Sequence, residues 1–344
     1  MTYNTLREHL KKRINENNAF VVFRLPEDSF IQLYYQKDNI LNTSIDLNVN
    51  GFIMAPFDKA SIIPFIPNTN SERISISKKG KSFSQLISYS EKEEDRVVFK
   101  NKVEKAKKEI ALGKFKKVVL THRVKGKANK PLEELFLSLE QNYPNAMVYL
   151  FVHTKVGTWL GASPEQLISS EGQRFTTMAL AATQLAKTSI PRWTKKEKNE
   201  QELVVQQIEK DLLQHYAQNE VKKGETHSRK AGHLVHLCTN FIFPKNKNHI
   251  GEIVKSLHPT PAVGGIPKKE ALTFISQYEG YNRSFYTGFF GPISNDSIQL
   301  FVNLRCAQYF SNKVLMYAGA GITKDSDPQK EWEETQRKLK TISG

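Results

Sequence analysis

The stretch from Phe285 to Ala318, FYTGFFGPISNDSIQLFVNLRCAQYFSNKVLMYA, decides the fold class. It holds three apolar runs with strand character, Phe285 to Gly291, Gln299 to Gln308 and Val314 to Ala318, separated by short Gly, Pro, Ser and Asn breaks. Strands that follow one another with no helix between them pair antiparallel. Working back toward the N-terminus, further strands are expected at Val118 to Val124, Ala146 to Val152 and Phe175 to Ala182. Helical periodicity marks Leu132 to Gln141, Lys195 to Gln218, Lys268 to Tyr278 and Pro328 to Thr341, and a long amphipathic helix from Asp95 to Leu112 that Gly113 ends. The chain opens with a helix pattern at Leu6 to Asn17 and short strands at Ala19 to Phe23 and Gly51 to Pro56, and the polar tract from Asn68 to Glu94 reads as a loop or lid. Strands and helices alternate too irregularly for a doubly wound parallel sheet, so the expected class is α+β with mainly antiparallel sheets.

The 344 residues, 39% of them hydrophobic, suffice for a large core. No run approaches the roughly 18 apolar residues of a membrane span, and the start Met1-Thr2-Tyr3-Asn4 lacks the apolar segment of a signal peptide, so a cytoplasmic protein is expected. The two cysteines, Cys238 and Cys306, lie in apolar runs without metal-ligand spacing and read as buried free thiols. A net charge of +15 raises the possibility of nucleic-acid binding. The lysines, however, are dispersed in short runs such as Lys78 to Lys81, Lys105 to Lys117 and Lys195 to Lys198, with no recognition motif beside them. A solvated basic surface accounts for them, and its field would gather a small dianion.

Several residues stand out for their chemistry. Leu257-His258-Pro259-Thr260-Pro261-Ala262-Val263-Gly264-Gly265 is a rigid loop that presents His258 and bare amides, unless it is merely the turn before the helix that Pro267 starts. Asp327 and Pro328 mark a helix start, and Glu331 and Glu334 behind them share one face. Acids in a first turn complement the helix dipole, worth about 0.3–1 kcal/mol each; two like charges so close would also welcome a hard divalent cation. Glu200 falls on the apolar stripe of its helix with Leu203, Val204, Gln207, Ile208 and Leu212, whereas Glu202 and Glu209 fall off it. Arg305 follows the apolar run Leu300-Phe301-Val302-Asn303-Leu304 and reads as a buried guanidinium seeking a carboxylate, in a ligand or in a salt bridge. Asp211, His215, His233 and His236 have ordinary readings as core or surface residues.

Taken in order, Lys117-Val118-Val119-Leu120, Gly161-Ala162-Ser163-Pro164-Glu165, Thr177-Met178-Ala179-Leu180-Ala181-Ala182-Thr183, the His258 loop, Tyr317-Ala318-Gly319-Ala320-Gly321-Ile322 and Glu331-Trp332-Glu333-Glu334-Thr335 resemble the chorismate-binding enzymes. The His-Pro-Thr-Pro-Ala-Val-Gly-Gly form resembles their isochorismate synthase branch. The likeness runs from about Lys100 to the C-terminus; residues 1–95 carry no recognised motif and are expected to complete a fold whose catalytic core is residues 96–344.

The resemblance implies one large domain of two α/β halves with packed sheets around a deep site. It implies Mg²⁺ held by Glu200, Glu331 and Glu334, although Gln201 stands where many relatives have histidine. It further implies Lys117 as general base and Glu165 as general acid, with Thr183, His258, Tyr286, Arg305, Gly319 and Gly321 lining the substrate. Periodicity alone does not choose Lys117 over Lys116 or Lys114, and a lysine base needs a pKa well below its usual value near 10.4. The expected function is isochorismate synthase, an isomerase converting chorismate to isochorismate, with no obligate amidotransferase subunit and the chain a monomer. Salicylate synthase, which adds pyruvate elimination, remains open at this point, as do quinone and siderophore pathways.

Overall fold

The computed structural model describes residues 1–58, 62–75, 85–186, 191–232, 234–246, 249–311 and 313–344. The whole Lys78 to Lys81 run and His233 lie outside these residues. The helices are α1 (Tyr3–Asn15), α2 (Glu93–Ala111), α3 (Leu132–Asn142), α4 (Lys195–Leu212), α5 (Ile250–Leu257), α6 (Lys268–Tyr278) and α7 (Pro328–Ser343). Between them run two ten-stranded sheets. Every strand pairing within them is antiparallel, as the Phe285 to Ala318 stretch predicts.

The first sheet is built around the long strand Lys117–Ala128, which pairs with Lys313–Ile322 on one side and with the short strand Gly265–Ile266 on the other. The second centres on Arg174–Leu185, paired with Leu234–Pro244 and Gln166–Glu171. Strands from residues 1–95 extend both sheets: Phe20–Arg24 and Phe30–Tyr35 in the first, Gly51–Ala55 and Ile63–Pro67 in the second.

The sheets face each other across an aromatic layer in which Phe23 meets Phe52 at 4.9 Å and Tyr149 meets Phe290 at 4.3 Å between ring centroids. Their outer faces are covered by helices, α1, α3 and α7 on the first sheet and α4 and α5 on the second. A strand buried on both faces reads as a continuous apolar run, as Phe20–Arg24 and Gly51–Ala55 do. Among the described residues no helix is long and apolar enough to cross a membrane. Cys238 and Cys306 are buried free thiols, as expected.

The structure differs from the sequence expectation in four places. The run Gln299 to Gln308 is two strands, Gln299–Val302 in the second sheet and Cys306–Phe310 in the first, because Arg305 adopts φ 49° and turns the chain across the sandwich. The expected strand Phe285 to Gly291 begins only at Phe289, since Thr287 at φ 59° closes a turn before it. The helix from Lys195 stops at Leu212, well before Gln218; beyond it His215 bonds Ser256 at 2.6 Å and Tyr216 packs on Phe243 at 5.1 Å, contacts a continuing helix would forgo. The tract Asn68 to Glu94 contains the strands Ser71–Ser75 and Ile87–Tyr89.

Candidate active site

Two strand ends and two helix starts meet at one cavity. Lys117 is the first residue of its strand and is 1% exposed, whereas Lys116 beside it points to solvent. The strand alongside brings Gly319 and Gly321 to the same wall. A Cβ at 321 would stand 2.5 Å from Oε1 of Glu200 and 3.0 Å from Cε of Lys117, so the Glu200 side chain would have to move to admit it. α4 is fixed at its start by a capping box between Thr194 and Glu197, which sets Glu200 one turn in. Gln201 faces the sheet, donating to the Ala179 carbonyl at 3.0 Å and to Thr239 at 3.1 Å, and so docks α4. α7 starts as expected, with the Asp327 side chain accepting from the Lys330 amide and Pro328 at the first position.

The cavity brings together Lys117, Glu165, Thr183, Glu200, Tyr286, Arg305, Gly319, Gly321 and Glu334, all expected from the sequence. Glu331 stands behind Glu334, 1% exposed overall. His258 is outside the lining: it caps the end of α5, and its Nε2 lies 2.9 Å from the Thr287 carbonyl, so it supports Thr287, which does line the cavity. Because a carbonyl only accepts, Nε2 carries the proton, and burial lowers this imidazole to about 4, keeping it neutral. The sequence reading passed over Lys338 and Thr260, and weighed His236 as ordinary. Lys338 is four residues after Glu334 on α7, a spacing that announces an ion pair.

Three lysine–carboxylate pairs surround the cavity, and one buried glutamate stands outside them among the described residues. Lys117 Nζ lies 3.0 Å from Glu200, Lys338 Nζ 2.7 Å from Glu334, and Lys196 Nζ 2.5 Å from Glu331. Glu165 has no such partner: Thr260 donates to its Oε1 at 3.1 Å, and burial pushes the carboxyl up to about 7 against the pull of that bond and of Lys117, Lys338 and Arg305. Burial, then the neighbouring Glu334, also raises Glu331 to about 7. Burial pushes Glu334 the same way, but Lys338 and Lys196 outweigh it and hold it below the ordinary carboxylate range.

Two polar atoms face this space without a hydrogen bond among the described residues, Arg305 Nη1 and His236 Nε2. His236 Nδ1 donates to the Ala182 carbonyl at 2.9 Å, and burial lowers the ring to about 3, so Nε2 is a bare acceptor. Tyr286 stacks on Tyr317 at 4.9 Å and 16° to complete the wall beside Arg305. The free space is about 70 Å³, against about 300 Å³ or more for a typical ligand pocket.

The three glutamates are hard oxygen donors, and Glu331 and Glu334, buried side by side and mutually repelling, fit a divalent cation. In the structure each is paired with a lysine, and among the described residues no three His, Cys, Asp or Glu side chains converge as a metal cluster.

An antiparallel double-sheet fold whose cleft gathers a buried lysine, a glutamate raised to about 7, a guanidinium with an unbonded nitrogen among the described residues, and the carboxylates Glu200 and Glu334 offers a site suited to a small anion. The model of the chorismate binding enzyme family matches residues 43–344, and the chain belongs to that family. It is 32% identical to isochorismate synthase EntC of Escherichia coli over 54% of this chain and 50% of that protein. It is 28% identical to anthranilate synthase component 1 of Aquifex aeolicus over 71% of this chain and 52% of that protein. Each match thus spans about half the length of the curated relative. The fold superposes on that of MenF, the menaquinone-specific isochorismate synthase of Escherichia coli, with a TM-score of 0.80 at 21% identity, covering 95% of this chain and 89% of that one.

Proposed function

We propose that the protein is a cytoplasmic, Mg²⁺-dependent isochorismate synthase, acting as a monomer, that converts chorismate to isochorismate. The observation that carries the reading is the cavity's division of labour: a buried lysine and a carboxylic acid held near neutrality face one space that also contains an unpaired guanidinium. Lys117 takes a proton from the water that attacks C2. The ring double bonds shift, and Glu165 delivers its proton to the C4 hydroxyl, which leaves as water. Arg305 Nη1 binds one substrate carboxylate. Glu200, Glu331 and Glu334 would hold Mg²⁺, which would supply positive charge for the other carboxylate. His236 Nε2 offers an acceptor to a substrate hydroxyl. Each positioned proton-transfer group contributes about 10²–10⁴-fold. Two buried free thiols suit a reducing compartment.

Chromatographic analysis of the products from chorismate, with Mg²⁺ and after exhaustive EDTA treatment, tests the reading. Isochorismate formed only with the metal is the expected result. Salicylate with pyruvate would make the protein a salicylate synthase, an amine formed in the presence of ammonium ions would remove it from the branch, and full turnover in EDTA would refute the metal.

A further inference from the structure

α4 opens against the usual electrostatics of a helix. Its first residues include Lys195, Lys196 and Lys198, with Glu197 the acidic residue of the first turn, although a cation there faces the positive end of the dipole. Lys195 and Lys198 are exposed. Lys196 instead turns inward, placing Nζ 2.5 Å from Oε1 of Glu331 while its own side chain stays 32% exposed and that of Glu331 is 2% exposed. One turn along each helix stand Glu200 and Glu334, paired with Lys117 and Lys338. Lys117 has a role in the reaction, and Lys338 also donates to the Gly319 carbonyl at 2.7 Å. Lys196 has no part in the proposed chemistry, yet its ammonium reaches the most buried of the three carboxylates from the solvent side.

We propose that Lys196 is a resident counter-cation of the metal site, neutralising Glu331 in the metal-free protein and leaving it when a divalent cation binds. The inference rests on the assignment of Glu200, Glu331 and Glu334 to Mg²⁺. Two consequences follow from the geometry. The cation competes with Lys196 for Glu331, so its affinity is lower than the carboxylates alone would give. In the metal-free protein Lys196 keeps Glu331 and Glu334 from repelling each other, since removing one partner of a buried pair leaves an uncompensated charge.

The test is a calorimetric titration of the full chain with Mn²⁺ as the probe, for the unaltered protein and for Lys196→Met, Lys196→Gln and Lys198→Met. Lys198→Met removes the same charge from an exposed position two residues away. The expected result is about five- to thirty-fold tighter Mn²⁺ binding in both Lys196 variants, equivalent to about 1–2 kcal/mol, and no change in Lys198→Met. In EDTA the Lys196 variants should melt below the unaltered protein, and saturating Mn²⁺ should raise their Tm more. Equal or weaker binding in the Lys196 variants, or equal tightening in Lys198→Met, overturns the counter-cation role and leaves the metal assignment standing. If the unaltered protein takes up no Mn²⁺ with or without chorismate, the metal assignment falls and the role of Lys196 with it.

Discussion

Replacing Glu165 with glutamine should make the protein more stable and nearly inactive, and the pH dependence of the stability gain identifies its cause. Burial raises this carboxyl from 4.5 to about 7 in the folded protein. A group whose folded pKa is raised contributes stability fully present below the unfolded value, and that contribution is lost as pH rises through the folded value. The wild-type protein therefore loses stability between about pH 4 and pH 8 that a neutral side chain does not lose. The shift corresponds to about 3 kcal/mol as an upper limit at 1.36 kcal/mol per pKa unit. Glutamine keeps the size of the side chain and an oxygen to accept from Thr260, which lies 3.1 Å from Oε1. For a chain of 344 residues, about 3 kcal/mol corresponds to roughly 4 °C in Tm. Scanning calorimetry of both proteins from about pH 4 to about pH 9 measures this directly: the curves should converge at the acidic end, diverge up to neutrality and run parallel above it. The same variant should lose about 10²-fold or more in kcat. A Glu165→Gln protein no more stable than wild type at about pH 9, or stabilised equally at both ends, would refute the picture of a buried acid kept protonated for use.

Two further expectations concern the opposite wall. Lys117→Ala should lower kcat about 10²-fold in both directions of the reaction with little change in substrate affinity, while Lys116→Ala, on the solvent side, should retain near-wild-type turnover; steady-state kinetics with chorismate and with isochorismate decides between them, and inactivity of both would displace Lys117 as the base. Gly321→Ala, whose Cβ would stand 2.5 Å from Glu200, should lower kcat/KM by at least about 10-fold by forcing the Lys117 and Glu200 pair apart, whereas Gly224→Ala, meeting its nearest neighbour at 3.4 Å, should not; equal kcat/KM in the two variants would refute the close fit.

Legibility of the sequence followed the physics of each segment. α6 is found at its predicted bounds, and α2, α3 and α7 within about two residues at each end, because their periodicity and caps are local. The strand Phe30–Tyr35 was missed although its alternating burial is a readable signal, and Gly157–Ser163 was missed because its glycines hide strand character. At the site, resemblance supplied what periodicity did not, the choice of Lys117 over its neighbours. What no local pattern contains is the pairing of charges across the fold. Lys196 and Glu331 are 135 residues apart, and only the packing of α4 against the cleft brings them together. The turn at Arg305 was illegible for a related reason: its chain reads as a continuous strand, and the left-handed φ appears only when two sheets compete for its ends.

That crossing restricts how the gene can change length. Between Val302 and Cys306 the chain leaves one sheet and enters the other, and the register on both sides is set by pairing, Val302 opposite Phe289 and Cys306 opposite Gly161. An inserted or deleted codon in those three positions would slide one strand by a residue, turning each of its inward side chains outward and moving Arg305 off the cleft. The turn at Ser294 to Ser297, exposed at the far end of the preceding hairpin, carries no such burden. Lineages of this protein are thus free to drift in length at one turn and held to a fixed count at the next, so insertions and deletions among relatives should gather at the former and be absent from the latter.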